Sequence, residues 1–370
     1  MDLYIGLLSG TSADAIDGTL VDLSDKQPKV LQTLTLPIPE ATKATVFNLA
    51  ISGTAEIEKI RVLDQQFAHL FSKTATMLCK ASDINTAAVK AIGSHGQTIR
   101  HYPPNGLTSG YSLQIGDPNI IAEQTGITTV ADFRRRDIAA GGHGAPLAPA
   151  LHNAVFRSDN TDRIILNTGG IANITHLSIN GGTLGFDTGP ANGLMDSWCQ
   201  QQIRQPYDTN GQWAATGTTN HDLLEQLLQH PFFALKAPKS TGREDFNVNW
   251  LEQQLREFGQ RLSPKDVQAT LLSLSVHTIT QAIEQIDRHK NAEVYICGGG
   301  AHNKLLVDTL RKTLSPRQLL STEALGIHPD WVEALAFAWL AKQTMAGKTG
   351  NLPAVTGAKK AVVLGAIFPA

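Results

Sequence analysis

A chain of 370 residues with 42% hydrophobic and 17% charged residues is long enough for two globular domains, and with that composition disorder is not the default. With 31 basic against 33 acidic residues, and Arg134-Arg135-Arg136 as its one dense basic cluster, it lacks the footprint of a nucleic-acid binder. Cys79, Cys199 and Cys297 are too scattered for a disulfide framework or a zinc site, and neither a leader sequence nor an apolar run of about 18 residues is present, so a cytoplasmic protein with no membrane span is expected.

The apolar run Leu3 to Leu8 ends in Ser9-Gly10-Thr11-Ser12, and Gly18 to Leu23 follows, which predicts a β-hairpin with a small-residue turn. From about Ala55 to Lys80, apolar residues spaced three and four apart predict a long amphipathic helix. Ala88 to Gly93 reads as a buried strand running into Ser94-His95-Gly96-Gln97-Thr98, and Thr128 to Ala131 as another running into Asp132-Phe133-Arg134. A second hairpin-like unit begins at Ile164 to Gly170 and continues through Ile174 to Ile179 and Gly182 to Asp187. Ser263-Pro264 opens a helix reaching Ile286; then come a strand at Glu293 to Cys297, a glycine turn at Gly298 to Gly300, and a helix from Asn303 to Leu314. The alternation predicts an α/β architecture of two similar lobes around a cleft. Residues 1–130 with about 345–370 form the first lobe, reached through the Gly350 to Gly357 return, and residues 131–344 the second.

Turns built from Ser9 to Ser12 and Thr168 to Gly170 let backbone N–H groups approach phosphate oxygens, with hydroxyls adding donors. Together they point to a phosphate clamp, although either alone is satisfied by a tight hairpin. Asp14 and Asp17 beside the first turn suit a hydrated Mg²⁺, or simply a solvated turn. Gly298 to Asn303, between strand and helix, suits a nucleotide at a helix N-terminus, and a plain helix start equally. It is no Rossmann fingerprint, because Asn303 replaces the third glycine. Lys348-Thr349 is no P-loop ending, because Lys342 stands where that loop needs glycine.

Asp187 ends a short strand, and Thr188-Gly189-Pro190 after it would hold the carboxylate in a fixed turn. That arrangement suits a general base, and as well a carboxylate capping the turn or the following helix. Ser94 to Thr98 reads as a substrate loop or as a satisfied buried histidine, and Asp132 to Asp137 with Gly141 to Pro146 as an anion-binding loop or a surface salt-bridge cluster. Glu333 interrupts an apolar helix, where burial would demand a polar partner or ligand. Neither a Gly-x-Ser-x-Gly elbow nor a His-Glu-x-x-His zinc motif occurs.

In order, Gly6 to Asp17, Gly93 to Thr98, Gln114 to Asp117, Ala131 to Arg134, Gly144 to Leu147, Asn167 to Asn173, Phe186 to Asn192 and Cys297 to Asn303 resemble the motifs of the anhydro-N-acetylmuramic acid kinases, and Asn351 to Ala358 closes the match. The resemblance spans nearly the whole chain. It implies an actin/hexokinase/Hsp70-like fold of two lobes with Mg-ATP in the cleft, a homodimer, and a role in recycling cell-wall sugars. The implied reaction opens 1,6-anhydro-N-acetylmuramic acid with water while its 6-oxygen takes the γ-phosphoryl group, giving N-acetylmuramic acid 6-phosphate and ADP.

Carried onto this chain, the resemblance makes Asp187 the base for that water. Gly10, Thr11, Ser12, Ala13, Asp14, Ala15, Ile16 and Asp17 become the first ATP loop, Gly169, Gly170 and Asn173 the second, and Gly298, Gly299, Gly300 and Asn303 the adenosine segment. Thr98, Arg134, Arg136 and Glu333 fall on the sugar side, an arginine suiting the lactyl carboxylate. Mg²⁺ would be held with ATP rather than by direct protein ligands. Ala15 and His143 depart from the family's usual Gly and Gln. Within that fold, the alternatives are an actin-like or chaperone-type ATPase that phosphorylates no small substrate, and a kinase for a different sugar.

Overall fold

The computed structural model describes residues 1–10, 12–51, 56–104 and 110–370. Internal contacts divide the chain into a first unit, Met1–Val155 with Trp331–Ala370, and a second, Phe156–Asp330.

In the first unit the strands are β1 (Leu3–Ser9), β2 (Ala15–Asp22), β3 (Lys29–Pro37), β4 (Val89–Tyr102), β5 (Tyr111–Ile115), β6 (Thr129–Ala131) and, at the chain's end, β12 (Ala366–Phe368). Among the described residues they form a sheet in the order β12-β6-β4-β1-β2-β3, with β5 on β4. β1 is buried along its whole length, as a strand covered on both faces must be. On one face Ile5 and Leu7 join Leu63, Phe67, Phe71 and Leu78 of helix Ile57–Ala81 in a single core.

Strand alternation turns Gly6 to the opposite face, where the backbone of helix Val332–Met345 lies against it. A Cβ on Gly6 would stand 1.9 Å from Ala334 O, and one on its register partner Gly93 would stand 2.0 Å from Phe337 O.

The second unit holds β7 (Arg163–Thr168), β8 (Ile171–Leu177), β9 (Thr183–Pro190), β10 (Glu293–Cys297) and β11 (Leu319–Ser321), in the order β11-β10-β7-β8-β9. This is the order of β6-β4-β1-β2-β3 built again: an antiparallel meander of three strands, then two parallel strands on the side of the first. Its core joins Ile164, Leu166, Phe186 and Val294 of the strands to Trp198, Leu271, Ile279, Ile283, Leu306 and Leu310 of the helices Asn192–Ile203, Pro264–Ile286 and Lys304–Leu314. Ser263 caps the second of these, accepting from Asp266 N–H, as its sequence predicts. The architecture is therefore the α/β, two-unit class expected.

Contacts place the division at 155/156 and 330/331, where the sequence reading put it at 130/131 and 344/345. The shift follows from packing, since helix Val332–Met345 is bonded by shape to β1 and β4, and helix Ala148–Val155 packs against it. Two local expectations are corrected. Ser94 to Thr98 lie inside β4 rather than in a loop, and Thr188 to Pro190 continue β9 through pairing with Ile171 and Ala172 rather than turning. Among the described residues no helix is long and apolar enough to cross a membrane.

Because a methyl group at residue 6 can be admitted only by lifting the helix off β1, Gly6→Ala should destabilise the protein by about 2–3 kcal/mol. Gly182→Ala, with only Ser178 Cβ 4.0 Å from the added carbon, should stay within about 0.5 kcal/mol. Urea denaturation of the two variants checks this.

Candidate active site

In the second unit, Asp187 sits in β9 opposite Asn173 of β8, immediately beyond a register shift between Ala172 and Asn173. Such irregularities re-aim side chains. The segment Lys239-Ser240-Thr241 runs alongside: Asp187 N–H donates to Lys239 O (3.0 Å), while Asp187 Oδ2 accepts from Ser240 Oγ (2.8 Å) and Thr241 N–H (3.0 Å). Lys239 is itself anchored, donating to Phe232 O and Phe233 O with its Nζ 4.4 Å from the Phe232 ring centroid. Among the described residues Asp187 Oδ1 has no hydrogen-bond partner. Burial pushes the carboxyl up to about 6, against the opposing pull of the Thr241 and Ser240 donors.

Of the two capping alternatives, Asp187 Oδ2 holds the Ser240-Thr241 segment rather than the helix after Pro190. At the start of helix Asn192–Ile203 the N–H groups of Asn192 and Gly193 donate to Gly169 O and Gly170 O (both 3.1 Å), not to Asp187. Those bonds also tether the glycine turn, and Asn192 Nδ2 adds a bond to Thr168 O (3.1 Å).

Thr168 Oγ1 donates to Cys297 O (3.0 Å), joining the ends of β7 and β10. Gly298, with φ +79°, could carry no side chain there, because a Cβ would fall 2.3 Å from Asn167 Oδ1; a Cβ on Gly300 would fall 2.6 Å from Thr168 Oγ1. Thus Gly169, Gly170, Asn173, Asp187 and Gly298 to Gly300 are gathered at one end of this sheet. Asn303 instead caps helix Lys304–Leu314, its Oδ1 accepting from Leu306 N–H (3.1 Å).

In the first unit, the β1–β2 turn closes with Ala13 N–H donating to Gly10 O (3.1 Å), Ala13 at φ +48°. Thr11 lies outside the described residues. Ala13 and Ile16 are wholly buried, backbone and side chain alike, and Ala15 opens β2. Buried Gln97 of β4 braces the turn, accepting from Ser9 Oγ (2.6 Å) and donating to Gly10 O (3.3 Å). Asp14 pairs with Lys43, and Asp17 accepts from Thr35 Oγ1 (2.8 Å).

Nearby on β4, Thr98 Oγ1 accepts from Gln114 Nε2 (3.1 Å). Arg134 donates through Nε (3.1 Å) and Nη2 (2.9 Å) to His95 Nε2 and through Nη1 to Gly144 O (2.8 Å). Burial lowers the Arg134 guanidinium to about 10 while the charges of Glu333 and Asp137 pull it back, so it remains a cation at neutral pH. Glu333 is exposed in the first turn of helix Val332–Met345, where its charge acts on Arg134 without the penalty of burial. Arg136 is exposed on the short helix Arg135–Ala139 and forms no side-chain hydrogen bond among the described residues. The Gly141 to Pro146 loop is held by buried Asp137, which accepts from Gly144 N–H (2.8 Å), Asn351 Nδ2 (2.6 Å) and Thr356 Oγ1 (2.8 Å). Within that loop, His143 donates its N–H to Thr356 O (2.8 Å).

The sequence reading passed over Ser240 and Thr241, the residues that grip Asp187. Their signal was present in Lys239-Ser-Thr-Gly-Arg243, a hydroxyl-and-glycine cluster of the same kind as the two phosphate turns. Arg243 of that segment also stands beside the glycine turn, its Nε and Nη2 3.9 Å from where a Gly170 Cβ would be.

Comparison with known proteins gives the same reading. The family model described as anhydro-N-acetylmuramic acid kinase matches residues 2–370. The chain is 50% identical over 368 residues to the anhydro-N-acetylmuramic acid kinase of Shewanella pealeana, covering 99% of this chain and 98% of that protein. It is 48% identical over 367 residues to that of Saccharophagus degradans, with the same coverage, and 47% identical over 370 residues to that of Shewanella woodyi, covering 100% and 99%. With a family match from end to end and relatives at half identity over nearly their whole length, the chain belongs to the anhydro-N-acetylmuramic acid kinase family, the ATP-dependent sugar kinases that its motifs resemble.

Proposed function

We propose that the enzyme phosphorylates 1,6-anhydro-N-acetylmuramic acid with concurrent hydrolysis of the anhydro ring, and that Asp187 is the base for the attacking water. The observation that carries this is the state of the Asp187 carboxylate: part-buried, fixed through Oδ2 alone, and raised to about 6. Oδ2 is committed to Ser240 and Thr241, so Oδ1 is the oxygen left to accept a proton. A base with a pKa near the working pH is mostly ionised yet still takes a proton well.

Water oxygen bonds to the anomeric carbon as the bond from that carbon to the 6-oxygen breaks, and the water's proton goes to Asp187. The 6-oxygen bonds to the γ-phosphorus of ATP, whose bond to the bridging oxygen breaks, releasing ADP; Asp187 then returns its proton to solvent. Phosphoryl transfer needs chiefly positioning and charge neutralisation. For the second unit we assign Gly169, Gly170 and Asn173 to phosphate and Gly298 to Gly300 to the adenosine, Asn303 serving through the helix it caps. For the first, we assign the β1–β2 turn to phosphate, and Thr98, Arg134, Arg136 and Glu333 to the sugar. Mg²⁺ would be held with ATP and keep most of its water, and the exposed Asp14, which pairs with Lys43, would meet that water rather than bind the ion directly. The ion would neutralise phosphate charge. The family carries three further proposals: a cytoplasmic location, a homodimer and a part in recycling cell-wall sugars.

Coupled ADP release should depend on the anhydro sugar; turnover indifferent to it would favour an ATPase without a small substrate, and equal turnover of ordinary N-acetylmuramic acid would favour a different sugar kinase. The rate should rise with pH through about 6 and then level, since Asp187 must be ionised to act. Ser240→Ala removes a donor that favours the ionised form, so that limb should move to higher pH, and Ser240→Thr should restore it. A limb unmoved in Ser240→Ala would show that Ser240 does not govern the base.

A further inference from the structure

His95, in the first unit, has bonding with a clear direction and no place in the steps above. It is 7% exposed, and its ring lies 4.6 Å from the Phe337 ring, centroid to centroid. Its Nδ1 is 3.0 Å from Gly96 O, a group that can only accept, so Nδ1 carries the hydrogen. Nε2 is therefore the lone-pair nitrogen, and it faces the Nε and Nη2 donors of Arg134. Burial and the Arg134 charge both hold the imidazole well below its ordinary pKa, so the ring is neutral at pH 7.

A guanidinium has five N–H donors in a planar fork. His95 takes the edge formed by Nε and Nη2, and Gly144 O takes one Nη1 hydrogen. Two N–H hydrogens remain, one on each Nη, and the end-on edge that such a pair can form is spaced for the two oxygens of a carboxylate. The choice of acceptor matters as much as its position. An aspartate or glutamate at residue 95 would fix the fork equally well but neutralise it and compete with an anionic ligand. A neutral imidazole fixes the fork without adding a further negative charge to those of Glu333 and Asp137 that already act on it.

We propose that His95 is a positioning residue for substrate selection: a neutral acceptor that turns the end-on edge of Arg134 toward the carboxylate of the acidic sugar. The inference rests on the assignment of Arg134 to that carboxylate. It predicts selectivity between a sugar bearing the lactyl carboxylate and its counterpart without one, 1,6-anhydro-N-acetylglucosamine.

The test is steady-state kinetics on both sugars for the parent enzyme, Arg134→Gln, His95→Phe and His95→Gln, with thermal melting to establish that each variant folds. Phenylalanine keeps the ring against Phe337 without an acceptor, whereas glutamine restores a neutral acceptor. In His95→Phe, KM for the acidic sugar should rise about tenfold or more with kcat little changed, while KM for the neutral sugar should stay within about twofold. His95→Gln should recover most of the loss. If Arg134→Gln leaves the preference for the acidic sugar intact, the assignment of Arg134 is wrong. If Arg134→Gln abolishes that preference and His95→Phe does not, or if His95→Phe weakens both sugars alike, the role of His95 is overturned.

Discussion

The seating of helix Val332–Met345 on two glycines is the contact on which the first unit is organised. Gly6 and Gly93 are register partners on adjacent parallel strands, and the helix backbone lies where their side chains would be. Helix and sheet meet at backbone distance, which fixes the helix more tightly than side-chain packing alone would. Two features of the proposed sugar side depend on that placement. Glu333, in the helix's first turn, acts on the Arg134 charge, and Phe337, one turn further on, presents its ring to His95. The chain must leave the first unit after Val155 and return at Trp331 to supply this helix.

The second unit solves a different problem with the same sheet order. There the end of the meander presents a carboxylate, and the segment Lys239 to Thr241 sets both its direction and its ionisation. Burial alone would raise Asp187 further; the Ser240 and Thr241 donors hold it near 6, where it can be ionised at neutral pH and still accept a proton. The grip on one oxygen leaves the other as the oxygen we assign to the attacking water's proton. Lys239 secures the segment through the carbonyls of Phe232 and Phe233, so the precision of the carboxylate derives from residues some fifty positions later in the chain.

Elements with strong local signals were legible in sequence. The hairpins around Gly10 and Gly169, the cap at Ser263 and the glycine turn after Cys297 all rest on short-range rules of turn chemistry and capping. Asp187 was visible as a candidate, but its support was misplaced: Thr188-Gly189-Pro190 looked like a turn and proved to be strand, because pairing with β8 overrides the local preference of Gly and Pro. Of the two readings of Ser94 to Thr98, the loop gives way to strand for the same reason, while the satisfied buried histidine is what His95 proves to be. Small polar residues in a row resemble a loop until neighbouring strands satisfy their backbone. What local pattern could not reveal were long-range partnerships, such as Ser240 with Asp187, His95 with Arg134, and Asp137 with Asn351 and Thr356.

The substitution Asp187→Asn separates a base from a structural carboxylate. Asparagine keeps an oxygen for Ser240 and Thr241 but cannot take a proton from water. With ATP affinity measured by equilibrium titration and turnover by sugar-dependent ADP release, affinity should stay within about threefold while turnover falls by about a hundredfold or more. Turnover within about tenfold of the parent enzyme, with nucleotide binding intact, would contradict the assignment.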